Sequence, residues 1–180
     1  MIIGIAGCGG IGSNVASHLV RSGVTYLKFG DFDKIESSNL NRQFFFENQI
    51  GLFKSETLAK NLNSINSKGN FDFSIIKFDR NNIKKFFNDC DIIVEAFDKK
   101  EYKVMLIEEL FPLNKIIISA SGIGDFHTEN IKRKEIGKNL FIVGDFKTDI
   151  DNHKTYSHKV SVVASIMAEI VLEKGGYYEK

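Results

Sequence analysis

Glycines stand at positions 7, 9, 10 and 12, directly after the apolar stretch Ile2 to Ala6 and at the start of a stretch with helical spacing. With no side chains at these points the backbone can turn sharply and approach a phosphate closely. The helix that follows would offer its unpaired N–H groups and the positive end of its dipole to the anion. Asp31 comes one strand later, about 20 residues on, where a carboxylate can accept hydrogen bonds from ribose hydroxyls. Read this far, the residues fit a dinucleotide and redox chemistry.

The next segment changes the expected ligand. Asp33, Asn39, Arg42 and Gln43 crowd just beyond Asp31. A pyrophosphate shared between two sugars is held mainly by backbone amides and has no need of an arginine there. A triphosphate under attack does need cations, because charge builds on the leaving pyrophosphate. Arg42 offers a planar fork to phosphate, and Lys54, opening the next helix, offers a second cation. Asp98, after the apolar run Ile92 to Phe97, is placed to hold Mg²⁺ or to cap the following helix. His127, His153 and His158 read as surface residues, Cys8 as a small buried side chain, and Lys159 as a residue near the end of a loop that could receive a second substrate.

These positions require a βαβα rhythm, and the chain carries one. Strands are predicted at Ile2–Ala6, Thr25–Gly30, Phe71–Phe78, Asp91–Ala96 and Lys115–Ala120. Helices are predicted at Ile11–Ser22, Lys54–Ile65, Asn82–Phe87, Lys99–Phe111 and Val160–Leu172. The fold expected is a Rossmann-like α/β domain over 1–180: a mostly parallel sheet with helices on both faces. Alternation in Phe126–Lys132 and the apolar run Asn139–Val143 predict added antiparallel strands on the C-terminal side. Asp145–His158 is polar and aperiodic, which predicts a mobile loop. Phosphate sites in such sheets lie beyond the carboxyl ends of strands, where Gly7, Asp31 and Asp98 all fall.

Composition excludes several classes. A formal net charge of +1 gives no case for nucleic-acid or acidic-membrane binding. Cys8 and Cys90 are the only cysteines, with no C-x-x-C spacing, so neither a disulfide scaffold nor structural zinc is expected. No apolar run is long enough to span a membrane and no leader precedes the first strand, so a cytoplasmic protein is expected. Phe44-Phe45-Phe46 cannot all enter one core and gives slight support to an apolar contact between copies.

Gly-x-Gly-Gly-x-Gly, Asp31-x-Asp33, Ser38-Asn-Leu-Asn-Arg-Gln43, Ile50-Gly-x-x-Lys54 and Ala96-Phe-Asp98 together resemble the ubiquitin-activating-enzyme superfamily. Within it the chain is most similar to the ThiF, MoeB and HesA proteins, and to the short ThiF subgroup in particular. That resemblance implies ATP and Mg²⁺, with adenylation of the C-terminal glycine carboxylate of a small ubiquitin-like sulfur carrier ending in Gly-Gly. It further implies release of pyrophosphate, a homodimer, and a role in thiamine thiazole synthesis. Gly7, Gly9, Gly10, Gly12, Asp31 and Asp33 would surround the nucleotide. Asn39, Arg42, Gln43 and Lys54 would face phosphates, and Asp98 would serve the metal. The zinc cysteine pairs of longer relatives are not in this sequence, nor is a cysteine in the 145–158 loop, so no thioester on the enzyme is expected. The arginine that longer relatives place ahead of the first strand is not expected either. Two rivals stay open: an NAD-dependent oxidoreductase, which leaves Arg42, Lys54 and Asp98 without roles, and a non-catalytic module of the same fold.

Overall fold

A computed structural model describes residues 1–178. Five strands, β1 (Ile3–Ala6), β2 (Tyr26–Gly30), β3 (Asn70–Ser74), β4 (Ile92–Glu95) and β5 (Ile116–Ala120), run parallel, joined by crossovers through helices. The helices are α1 (Gly10–Arg21), α2 (Lys54–Ile65), α3 (Ile83–Phe86) and α4 (Lys100–Leu110). A hairpin, β6 (Lys132–Ile136) and β7 (Leu140–Gly144), extends the sheet, and α5 (Ser157–Gly175) closes the described chain. The strand order is β3-β2-β1-β4-β5-β7-β6. The order reverses between β1 and β4, and the crevice beyond their carboxyl ends is where open α/β sheets bind ligands.

Alternate residues of the central strands enter opposite cores, the period-2 pattern of a sheet covered on both faces. Ile3, Ile5, Ile92, Val94 and Ile118 pack with α1, α2 and α5. Ile93 and Ile117 pack with α3 and α4, around Phe78 and Phe87. The expected α/β sheet with helices on both faces is present. No described helix is long and apolar enough to cross a membrane.

Two strand boundaries differ from the sequence expectation. β3 stops at Ser74, paired with Gly30, because β2 ends there and offers no further ladder. Ile76 and Phe78 therefore leave the sheet and turn inward. The C-terminal hairpin is also shifted. Phe126–Lys132 is irregular before its last residue, the outer strand is Lys132–Ile136, and β7 runs parallel to β5, so that β6 is the antiparallel member of the sheet. All of β6 is exposed, so it carries no buried face from which a period could be read.

Phe87 is fully buried, stacked on Phe78 at 5.3 Å and edge-on to Phe86 at 4.7 Å. Phe78 also lines the crevice cavity described below. Phe87→Ala should lower the unfolding free energy by about 3–5 kcal/mol in urea titrations, and the loss should carry over to the cavity wall.

Candidate functional site

The glycine loop is shaped by contacts that leave no room for side chains. Gly7 has φ +95°, and a Cβ there would lie 2.9 Å from the Ala96 carbonyl oxygen. At Gly12 a Cβ would fall 1.9 Å from the Gly7 carbonyl oxygen, so α1 can leave β1 this tightly only with glycine at that point. The first turn of α1 contains no acidic residue. Its free amides and positive dipole end thus face the crevice with no carboxylate of the helix's own first turn against them.

Asp31 is bound into the same unit. Its Oδ2 accepts the Cys8 N–H at 2.7 Å and its Oδ1 accepts the Asp33 N–H at 2.8 Å. Burial raises the carboxyl above its ordinary value, against the lowering effect of those two amides and of the Lys54 charge. Lys54 is itself buried, with Nζ 3.0 Å from Asp33 Oδ2. Cys8 is buried throughout, and burial together with the Asp31 charge raises its thiol well above the usual range. It is an inert packing residue rather than a nucleophile.

The segment 39–44 is carried by α1. Asn39 accepts the Glu36 N–H on its side chain at 3.0 Å, and its carbonyl accepts the Arg42 and Gln43 N–H groups at 3.2 and 2.9 Å. Asn14 Nδ2 donates to the Arg42 carbonyl at 2.8 Å, and Ser13 Oγ accepts the Phe44 N–H at 3.0 Å. Arg42 Nη1 donates to the Ser38 carbonyl and to Asn41 Oδ1. Gln43 Oε1 is buried and has no hydrogen-bond partner. Since an amide can turn over at little cost in space, this position can present a donor or an acceptor to whatever fills the crevice.

Asp98 is exposed, and the cap position of α4 is Lys99, without a side-chain cap bond. The Asp98 charge raises the affinity of Arg42 for its proton, opposing the larger lowering by burial, as two groups facing one space should. Behind Asp98, Glu95 is completely buried. It accepts the Ser119 hydroxyl at 2.6 Å, the Phe97 N–H at 2.7 Å and Lys103 Nζ at 3.0 Å, fixing the turn on which Asp98 sits.

A cavity of ≈ 640 Å³ results, lined by Gly7, Gly9 and Gly10, by Asp31 and Asp33, by Arg42, Gln43 and Lys54, and by Asp98. Gly12 and Asn39 are not on its wall: one packs beneath the loop and the other forms the turn that presents Arg42 and Gln43. His127, His153 and His158 are exposed, as expected. Sequence reasoning gave no role to Ser13, Asn14, Lys103 and Ser119. A lone acid at the end of the apolar strand Ile-Ile-Val-Glu95 was the signal that buried partners had to exist. No group of three or more His, Cys, Asp or Glu among the described residues is arranged to hold a metal. Magnesium commonly takes only one or two carboxylates together with phosphates, and Asp98 fits that use.

A glycine loop, a buried acid after β2 and two cations meet at the switch point of a doubly wound, Rossmann-like α/β sheet. The chain belongs to the ThiF family, whose model matches residues 1–173. It is 32% identical over 154 residues to ubiquitin-like modifier-activating enzyme 5 of Aedes aegypti, covering 84% of this chain and 35% of that protein. To the adenylyltransferase and sulfurtransferase MOCS3 of Xenopus laevis it is 32% identical over 120 residues, 66% of this chain and 27% of that one. The chain thus spans about a third of the length of these relatives or less. Among solved structures, the E. coli tRNA N6-threonylcarbamoyladenosine dehydratase TcdA in complex with AMP matches with a TM-score of 0.84 at 18% identity, over 98% of this chain and 88% of that one. E. coli MccB with AMPCPP and MccA matches at 0.73 and 24%, over 99% and 57%. At these identities the likeness is one of fold.

One wall of the cavity, Phe146 to Thr148, is held by Asp145 and Lys159, whose buried ammonium lies 2.6 Å from Asp145 Oδ2. Burial pushes the Asp145 carboxyl up, but Lys159, Thr148 and the Lys147 amide more than offset it and hold it well below the usual range. A depressed carboxyl contributes stability that is complete above its unfolded value, about 3.9, and lost as pH falls through the folded one. Urea titrations between pH 6 and pH 2.5 should therefore show a shallower acid loss for Asp145→Asn than for the unsubstituted chain. At neutral pH the variant should be weaker by about 3 kcal/mol, because Lys159 is left buried without its counter-charge.

Proposed function

We propose that this chain, as one adenylation domain, transfers AMP from ATP to the C-terminal glycine carboxylate of a small ubiquitin-like protein and releases pyrophosphate. The observation that carries the reading is the cavity itself, where Asp31, the glycine loop, Arg42, Lys54 and Asp98 meet. The names of its relatives support it. MOCS3 is called an adenylyltransferase and sulfurtransferase, TcdA has been solved with AMP and with ATP, and MccB with AMPCPP and MccA.

The chemistry needs no general base, because a peptide carboxylate is already ionised at neutral pH. One carboxylate oxygen forms a bond to the α-phosphorus, the bond from that phosphorus to the bridging oxygen breaks, and pyrophosphate leaves with the electron pair. Asp31 would hold the ribose and the α1 amides the phosphates. Arg42 and Lys54 would offset the charge that grows on the leaving group. Asp98 would hold Mg²⁺, which supplies further neutralisation at the phosphates. Gln43, with its unsatisfied buried oxygen, would complete the contact.

The carrier we favour is a sulfur carrier of the ThiS kind ending in Gly-Gly, in thiamine thiazole synthesis, with the enzyme a cytoplasmic homodimer. Phe46, Ile50 and Leu52 give it an exposed apolar patch (53, 44 and 48% accessible) beside the site segment.

ATP–pyrophosphate exchange with a panel of Gly-Gly-ending carriers tests the reading. Arg42→Ala and Asp98→Ala should each lower exchange by about 100-fold, the effect of removing one positioned charge-stabilising group. Unchanged exchange in both variants would overturn the site assignment. ATP binding without exchange on any carrier would show a non-catalytic module.

A further inference from the structure

A second cavity of ≈ 560 Å³ lies beside the first and shares Phe146, Lys147 and Thr148 with it. It lies where β7 ends and β6 begins, with Lys132 and Lys134 on one side and His127, Glu129 and His153 on the other. The shared wall is a built turn. Asp145 Oδ1 accepts the Lys147 and Thr148 N–H groups at 2.8 and 2.9 Å, and Asp145 Oδ2 accepts the Thr148 hydroxyl at 2.7 Å. Lys159 ties the same carboxylate to the Gly124 carbonyl. Phe146 is held in the left-handed region at φ 60°, its N–H donated to the Ser121 carbonyl at 3.2 Å and its ring 3.9 Å from Lys134 Nζ. A bulky residue stays in that conformation only where its surroundings over-determine it.

Lys147 follows at once, exposed, lining both cavities. Among the described residues its ammonium has no acidic partner and no hydrogen bond; the same holds for Lys77, Lys99 and Lys100 on the first cavity and Lys132 and Lys134 on the second, but of all these Lys147 is the one that lines both. A solvated surface lysine gains nothing from a rigid turn. A lysine that must meet an anion at one fixed point does.

We propose that Lys147 is a further substrate-contacting residue: its ammonium pairs the terminal carboxylate of the incoming peptide where the second cavity opens into the first. This rests on the function proposed above. In that reaction a carboxylate must approach an α-phosphate that is itself anionic, and a cation between the two offsets their repulsion. The second cavity would take the residues preceding the carboxylate. The bond changes are those already given, with Lys147 keeping its proton throughout.

The test uses a fluorescent octapeptide ending in Gly-Gly, as free acid and as carboxamide, with the non-hydrolysable analogue AMPCPP present. By anisotropy the unsubstituted chain should prefer the acid by about 10- to 100-fold, the scale of one hydrogen bond to a charged group. Lys147→Ala should abolish that preference, Lys147→Arg should keep most of it, and the AMPCPP dissociation constant should shift less than twofold. In pyrophosphate exchange Lys147→Ala should raise the KM for carrier. No preference for the acid, or an equal preference in Lys147→Ala, overturns the assignment. Weaker AMPCPP binding with the acid preference intact also overturns it, by making Lys147 a phosphate ligand. If the unsubstituted chain exchanges with no carrier, the adenylation reading fails, while the anisotropy comparison still decides whether Lys147 binds a carboxylate.

Discussion

Helix α1 leaves β1 so tightly that the carbonyl oxygen of Gly7 occupies the space of a side chain at position 12, and the rest of the site hangs from that closeness. It aims the free amides of α1 at the crevice between β1 and β4. It places the Cys8 N–H on Asp31, so loop and acid move as one body. Ser13 and Asn14, one turn further along, hold the backbone of residues 42 to 44. On its other side α1 packs along α5, where a Cβ added at Gly10 would lie 3.3 Å from Val160 Cγ1. The residue before Val160 is Lys159, which fixes the far wall of the cavity. One helix therefore sets the distance between the two sides of the site.

The charges divide by burial. Glu95 and Lys159, the most deeply buried of them, are each paired and further hydrogen-bonded, as the cost of desolvation requires. Neither faces the crevice cavity as a free group, and both act by fixing a turn: 96–98 in one case, 145–148 in the other. Arg42 and Asp98, which do face the cavity, are partly or fully exposed and held by few contacts within the fold. A ligand can therefore recruit them without breaking a buried pair. Gln43 departs from this division, buried with one oxygen unsatisfied. Gln43 carries no charge, and its open oxygen lies on the cavity wall, where it can bond to a group in the crevice.

Much of this was legible in the sequence because it is local. The glycine spacing, the acid after β2 and the alternation of strand and helix each occupy one short window, and each was found where the structure has it. Three things were not legible. β6 has no buried face, so its residues carry no period to read. The Glu95–Lys103–Ser119 cluster joins β4, α4 and β5, and nothing in a window around Glu95 says which cation will reach it. The motif that contains Asn39 was visible, but not the division of labour within it. A short polar side chain can as easily bond a neighbouring amide and make a turn as reach a ligand, and here Asn39 makes the turn while Arg42 and Gln43 reach the cavity.

The Asp145–Lys159 pair shows why an ion pair rather than an apolar contact holds the wall between the two cavities. Two apolar side chains of the same volume would join the layers at least as firmly, since a buried pair spends most of its attraction on desolvation. They could not accept the N–H groups of Lys147 and Thr148 or take the Thr148 hydroxyl. Those amides would then be left unpaired, and the segment would relax away from the left-handed conformation at Phe146. The carboxylate is used for its several lone pairs, and Lys159 makes its burial tolerable. What the pair secures is the conformation of four residues, and with it the point at which the two cavities meet.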